Sequence, residues 1–284
     1  MVRRILRVAW EELKCFFLNS KLILLVFELI FFSQTFLVHV KQFCQVTDMK
    51  LSFFEPYLLV SSSDMYFMAI PLVYLILLSG FPSRRSYNFF SLIRISRLQW
   101  LIGEVVFLVF SAIGYMLLLG AGMLIYMGRY IQFDNQWSSY MLDFNELYPE
   151  LFLGNEDCFL DTAMMVHGSP MRVFLHSILL MLAMLLVVAM TLIAFSLIQK
   201  KYAGMLLMIG LMLMTAFSIY GEGQVKWLFP MTHIHFAVHF NGIQAKQNMG
   251  LGMSYLYFGV WLVVLFGISL YAVKKVNMEA GNGA

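Results

Sequence analysis

Six runs of apolar residues, each long enough to cross a lipid bilayer, constrain this 284-residue chain more than any other feature. A transmembrane helix needs about 20 apolar residues to span a hydrocarbon layer of roughly 30 Å. Apolar residues make up 61% of the chain and charged residues 12%, and the mean hydropathy is +0.79. These values lie outside the range of soluble domains. We therefore predict an all-α polytopic membrane protein with one transmembrane domain over residues 1–284.

The predicted spans begin and end at recognisable helix signals. The spans are 22–40, 65–81, 100–127, 173–199, 203–220 and 254–273. The serines at 61–63 can cap backbone N–H groups at the start of the second span, and Gly80 and Pro82 form a stop signal at its end. Pro71, inside that span, predicts a kink.

The distribution of Lys and Arg predicts the orientation, because basic residues are retained on the cytoplasmic side. Basic residues precede span one, lie between spans two and three and between four and five, and follow span six. They are Arg3, Arg4, Arg7, Lys14, Lys21, Arg84, Arg85, Arg94, Arg97, Lys200, Lys201, Lys274 and Lys275. Residues 128–171 instead carry seven acidic side chains against Arg129 alone. We expect both termini in the cytoplasm, an external 128–171 segment that folds as a cap, and a plasma membrane location. The charge pattern does not indicate a nucleic-acid partner.

Two cytoplasmic segments have amphipathic patterns. In the first, residues 1–21, Leu6, Trp10, Leu13 and Phe17 recur at helical spacing, which predicts a helix in the membrane interface. The second segment, 82–99, has polar and apolar stripes that suit a short helix facing a soluble partner. The alternative for that segment is a solvated basic loop that only enforces topology.

This order of parts resembles the membrane subunits of type-2 ATP-binding-cassette exporters over nearly the whole chain. The likeness rests on the basic N-terminal helix, the six spans, the stretch 81–103 that leads into span three, and the Pro230 segment after span five. The resemblance implies that the 82–99 segment contacts an ATPase subunit. The implied coupling residues are Arg84, Arg85, Asn88, Phe89, Arg94 and Arg97. It also implies short re-entrant helices within residues 222–253.

The same resemblance implies a transporter with two ATPase subunits and a second permease subunit, identical to this chain or different from it. The chain has no G-x-x-x-x-G-K-[ST] phosphate loop and no stretch long enough for a nucleotide-binding fold. We therefore expect no catalytic site and no cofactor in this chain, with ATP and Mg²⁺ bound by the ATPase partner. The expected cargo is hydrophobic or amphipathic, such as a peptide, a drug or a lipid-like molecule.

Glu28 and Glu104 are the carboxylates inside predicted spans. A charge near mid-bilayer costs about 2.5–3.5 kcal/mol, so both side chains should face the bundle interior and line the inner mouth of a translocation path. The alternative is that one or both reach the headgroup region, which the neighbouring Trp100 favours for Glu104.

Histidines and cysteines suggest further sites. His233, His235 and His239 are a weak metal candidate, and the alternative is an amphipathic re-entrant helix whose histidines meet headgroups or external water. Together with Glu28, the histidines leave open a second functional hypothesis, an intramembrane enzyme of the metal-dependent hydrolase type. A third hypothesis is a non-transporting membrane scaffold or sensor. Cys44 and Cys158 both fall in predicted external loops, where they form a disulfide or remain two free thiols.

Overall fold

Long apolar helices dominate the computed structural model of this protein, which describes residues 2–82, 96–142, 160, 162–218, 224–241 and 246–275. The helices are α1 (Val2–Phe17), α2 (Ile23–Phe32), α3 (Val38–Thr47), α4 (Glu55–Ser61), α5 (Asp64–Leu77), α6 (Arg97–Met127), α7 (Thr162–His167), α8 (Pro170–Leu197), α9 (Lys201–Ser218) and α10 (Leu251–Lys275). The strands have two residues each: β1 (Leu51–Ser52) pairs in parallel with β2 (Ile131–Gln132), and β3 (Phe240–Asn241) pairs antiparallel with β4 (Lys246–Gln247).

Within the described residues, four helices are long and apolar enough to cross a membrane. They are Ser20–Thr47, Arg97–Tyr130, Pro170–Leu197 and Leu251–Lys275. The pair α4 and α5, which meet at a bend of 93°, makes a fifth if the two form one broken span. The apolar part of α9, Lys201–Thr215, is shorter. The predicted helical class and several of the predicted spans are thus present, with α8 the most buried of the four.

The first long helix continues beyond its predicted end at residue 40. A π-helical turn, Ser33–Leu37, joins α2 to α3, and Asp48 ends α3 with a left-handed backbone (φ 54°). The Lys41 ammonium group donates to the carbonyl of Tyr126 and lies 4.3 Å from the centre of its ring. The helix thus continues past Lys41, whose side chain is bound to α6 at this point.

The serines at 61–63 form hydrogen bonds with the helix before them, α4, and their hydroxyls do not cap the start of the second span as predicted. Their hydroxyls donate to the carbonyls of Leu58, Leu59 and Val60 at 3.0, 2.7 and 2.8 Å. These bonds satisfy the last carbonyls of α4, while Ser63 makes no side-chain bond to the start of α5. The large bend therefore falls between α4 and α5, and α5 continues through Pro71.

A buried carboxylate organises the described part of the predicted external segment. Glu55 accepts from the backbone N–H of Ser52 at 2.8 Å and from that of Ser138 at 2.7 Å. The Ser52 hydroxyl donates to the carbonyl of Asp134 at 2.6 Å, and the Trp137 indole N–H donates to the carbonyl of Gly168 at 3.1 Å. Residues 131–138 are thereby tied to the β1–α4 region, and positions 143–159 and 161 lie outside the described residues.

Helix α1 packs lengthwise against the first half of α6. Val8 lies beside Gly103 and Phe17 beside Gly114, so the two helices run side by side in the same direction. Phe16 on the buried face of α1 contacts Phe107, with ring centres 6.2 Å apart. Of the predicted apolar stripe, Leu6, Trp10 and Phe17 remain largely exposed, which suits a surface that faces lipid. Because α1 runs along a helix that is long enough to span the membrane, its packing does not fit the predicted helix in the plane of the interface.

Candidate functional site

Basic side chains collect at one end of the bundle. The Lys21 ammonium group donates to the Ser79 hydroxyl at the end of the α5 region, and Lys201 at the start of α9 lies close enough to Lys21 for their charges to repel. The Arg97 guanidinium, at the start of α6, donates to the carbonyl of Lys274 at 2.8 Å near the end of α10. Basic side chains thus take part in two contacts between helix ends, one around Lys21 and one around Arg97.

The predicted coupling residues fall at this end or outside the described chain. Arg97 is described, and a capping box fixes its helix start, in which the Ser96 hydroxyl accepts from the Gln99 N–H at 3.3 Å. Arg84, Arg85, Asn88, Phe89 and Arg94 lie outside the described residues.

Glu28 is buried between α2, α5 and α6 as predicted for an inward-facing carboxyl group. Its Oε2 lies 2.6 Å from the Tyr115 hydroxyl, which also lies 3.1 Å from the carbonyl of Ile70. Tyr115 has one hydroxyl hydrogen for these two acceptors. A neutral Glu28 that donates to Tyr115 frees the tyrosine to donate to Ile70 and satisfies both contacts.

More hydroxyl groups line the same helix contacts, and the sequence analysis did not single them out. The Tyr74 hydroxyl lies 2.8 Å from the Ser111 hydroxyl, and the Tyr57 and Tyr66 hydroxyls are in contact. Tyr66 and Tyr74 are eight residues apart on α5, and Ser111 and Tyr115 are four apart on α6. The helical spacing of these hydroxyl residues inside apolar spans is the sequence pattern from which such contacts could have been predicted.

Glu104 is buried within the bundle. Its side chain is fully buried, and the neighbouring Trp100 is buried with it. Glu104 directly follows Gly103, the position at which Val8 of α1 packs closely on α6. The depth of Glu104 relative to the headgroups stays a prediction.

Two of the three histidines share one serine. His233 Nδ1 lies 2.9 Å from the Ser254 hydroxyl oxygen, and His239 Nε2 lies 2.8 Å from the same atom. The other ring nitrogens face backbone carbonyls, those of Trp227 at 2.8 Å and His235 at 2.9 Å, and must carry hydrogens there. Ser254 has one hydrogen to give, so an added proton on either imidazole would complete both contacts.

Burial opposes the addition of a proton to the imidazole of His233 or His239. Desolvation lowers the pKa of His239 to about 4, although its bond to the His235 carbonyl acts in the opposite direction. Desolvation likewise lowers the pKa of His233 below its ordinary value. Ser254 itself is fully buried, so this serine–histidine contact lacks the access that a nucleophile needs.

The three histidines do not form a metal centre. His235 packs its ring on Phe67, with ring centres 4.4 Å apart, and its Nε2 lies 3.3 Å from the carbonyl of Ser62. No group of three or more His, Cys, Asp or Glu within the described ranges could hold a metal ion. All three side chains are buried, so the headgroup-facing arrangement expected from the sequence is also wrong.

Cys44 is buried in α3 and carries a free thiol. Cys158 lies outside the described residues.

Comparison with known proteins gives no relative from which a function can be transferred. No family model, no curated protein and no solved structure matches this chain.

Proposed function

We propose that this chain is the permease subunit of an ATP-driven exporter, with six membrane crossings, both termini in the cytoplasm and ATP hydrolysis on a separate subunit. In this account the four long helices, the bent pair α4–α5 and the shorter α9 supply the crossings. Two such permease subunits enclose the path, and each binds one ATPase subunit.

The contact between Arg97 and Lys274 is the observation that carries the proposal. Arg97 lies near the end of the 82–99 segment through which we expect an ATPase to act, and it begins the longest described helix. Its 2.8 Å bond to the Lys274 carbonyl links that helix start to the end of α10. A displacement of the 82–99 segment would therefore move the first part of α6 together with the last helix.

Helix α1 extends this mechanical connection to the N-terminal part of the chain. The close approach of Val8 to Gly103 leaves no room for α1 and α6 to slide freely past each other. A push at the basic end would thus shift several long helices as a packed unit, which is how a small displacement can switch a bundle between two arrangements.

An apolar cavity of about 220 Å³ supports the proposal that the cargo carries an apolar group. It lies between α8, α9 and α10, and Met208, Leu211, Trp261 and Leu265 are among its wall residues. A polar cargo group would lose its hydrogen bonds to water at such a wall, whereas an apolar group would not.

The test is affinity purification from native membranes in mild detergent, followed by an ATPase assay of the proteins that co-purify. We expect an ATP-binding-cassette subunit to co-purify with the wild-type chain. The variant Arg84→Glu, Arg85→Glu, Arg94→Glu, Arg97→Glu should lose that subunit or the coupling of its ATPase.

The matched control is Arg129→Glu, an exposed cation at the opposite end of α6. This control should retain the ATPase subunit. A folded wild-type chain that purifies alone, without ATPase activity, would contradict the exporter proposal, and equal loss in the control would contradict the assigned docking end.

A further inference from the structure

An open groove of about 1050 Å³ runs between α1 and α6 on the outer surface of the bundle. Its α1 wall carries the stripe that begins at Arg3 and ends at Leu13, and its α6 wall is formed by Val106 and Phe110. The groove is separate from the basic contacts of Arg97 and from the histidine cluster.

One end of the groove is strongly basic. Arg3, Arg4 and Arg7 line it with exposed side chains, and none of the described residues in its wall is acidic. The nearby Glu11 is paired with Lys14 at 3.2 Å, so it does not cancel the three arginines. Guanidinium groups bind phosphate oxygens well because their N–H donors match them in pairs.

The rest of the groove is apolar and exposed. Trp10 is 58% exposed and Phe110 52% exposed, although both are large apolar side chains. Leu13 and Val106 also line the groove. A membrane protein leaves such surface open where lipid covers it.

The length of the groove matches one leaflet of a bilayer. From Arg3 to Leu13, α1 rises about 15 Å at 1.5 Å per residue. This is half of the roughly 30 Å hydrocarbon layer. The basic end and the apolar wall are therefore spaced like the phosphate and the acyl chain of one lipid.

We propose that this groove binds one anionic phospholipid, with its phosphate on Arg3 and Arg7 and an acyl chain along Trp10, Leu13 and Phe110. The site does not depend on the exporter proposal, and only the choice of the cytoplasmic leaflet rests on the proposed orientation.

Native mass spectrometry of the full chain in detergent tests the proposal, with phosphatidylglycerol and phosphatidylcholine of equal acyl chains offered together. The wild-type protein should retain one phosphatidylglycerol in preference to phosphatidylcholine. Arg3→Gln, Arg4→Gln, Arg7→Gln should weaken that binding by on the order of 100-fold, because each of the three cations at a membrane surface contributes about a factor of five. Arg129→Gln, which removes an exposed cation beyond the far end of α6 and outside the groove, should bind like wild type.

Phe110→Ala separates a groove from a general attraction to anionic surfaces. This variant keeps every cation but shortens the apolar wall, so retention of phosphatidylglycerol should fall several-fold. Equal retention by the triple arginine variant, or no effect of Phe110→Ala, would overturn the proposal. Displacement of the lipid by glycerol phosphate alone would also overturn it, since the site would then bind a phosphate group without its chain.

Discussion

The buried Glu28 shows how single residues determine what the bundle interior tolerates. A carboxyl group between apolar helices is stable only when its polar atoms have partners. Tyr115 provides the 2.6 Å contact to Oε2, while Oε1 has no hydrogen-bond partner among the described residues. Glu28 therefore depends heavily on one tyrosine hydroxyl.

Tyr115→Phe should destabilise the protein by about 1–3 kcal/mol, because the change leaves a buried carboxyl group without its hydrogen bond. Thermal unfolding of the purified protein in detergent measures this loss. Adding Glu28→Leu to Tyr115→Phe should cost less than the sum of the two single changes, since the carboxyl group that needs the bond is then absent.

The matched control is Tyr271→Phe on α10, whose side chain is 61% exposed. It should leave the unfolding temperature unchanged. Additive effects of Glu28→Leu and Tyr115→Phe would show that the two residues do not interact.

Stability should also fall in mild acid because of His239. Burial lowers the pKa of this imidazole to about 4 in the folded protein, and unfolding returns it toward 6.5. The unfolded chain thus takes up the proton first, so this contribution is complete above pH 6.5 and is lost as the pH falls toward 4. The loss is at most about 3 kcal/mol.

Unfolding temperatures measured across this pH interval for wild type and His239→Gln test the assignment. The variant lacks the titrating imidazole, so its stability should depend less on pH in the same interval. Parallel pH profiles for the two proteins would assign the acid sensitivity to other groups.

At the scale of elements, glycines on α6 set how closely α1 and α2 approach. A Cβ at Gly103 would lie 2.9 Å from Val8 Cβ and 3.2 Å from the Ile5 backbone oxygen. Backbone atoms cannot rotate away as a flexible side chain can. The contact between α1 and α6 therefore requires glycine at this position.

Gly103→Ala should loosen α1 from α6 and destabilise the protein by about 1–3 kcal/mol, the usual cost of overpacking a tight contact. Limited proteolysis near the N-terminus, together with thermal unfolding, measures this effect. Gly120→Ala is the matched control on the same helix, because a Cβ there meets no atom within 4 Å. Equal behaviour of the two variants would contradict the assigned contact.

Element lengths and types were largely predictable from the sequence, whereas breaks and partners were not. The run of apolar residues predicted α8 and α10 within three residues at each end, since length and hydropathy decide such helices. The extension of the first span through Lys41 depends on the distant Tyr126 carbonyl, which no local pattern reveals. The bend at residues 62–63 was likewise not predictable from a local pattern, because its serine hydroxyls donate to carbonyls of the preceding helix α4.

The candidate sites show the same difference between features that the sequence predicts and features that only the packing reveals. Burial of Glu28 was predictable from its position inside an apolar run, but the selection of Tyr115 as partner required the packing of α2 on α6. The sequence analysis grouped His233, His235 and His239 as one weak metal candidate, whereas the structure joins His239 to His233 through Ser254. Ser254 gives no signal in the sequence, since serine is common in apolar helices.

At the scale of the whole molecule, the two ends of the bundle differ in charge and in structure. The basic end carries two contacts, that of Lys21 with Ser79 and Lys201 and that of Arg97 with the Lys274 carbonyl. At the opposite end, Glu55 accepts hydrogen bonds from Ser52 and from Ser138 in the described part of the 128–171 segment. Because basic residues are retained in the cytoplasm, our proposal predicts that the basic end faces the cytoplasm and the proposed ATPase subunit, and that the Glu55 end faces outward.

Sided labelling of single cysteines tests this central claim most directly. In a chain whose native cysteines are replaced by serine, exposed positions at the two ends are changed to Lys200→Cys, Lys275→Cys and Gln136→Cys. A membrane-impermeant maleimide applied to intact cells should label the position at 136 alone, and permeabilised cells should show all three labelled. Labelling at 200 or 275 in intact cells, with 136 protected, would contradict the orientation and with it the proposed docking of an ATPase at the basic end.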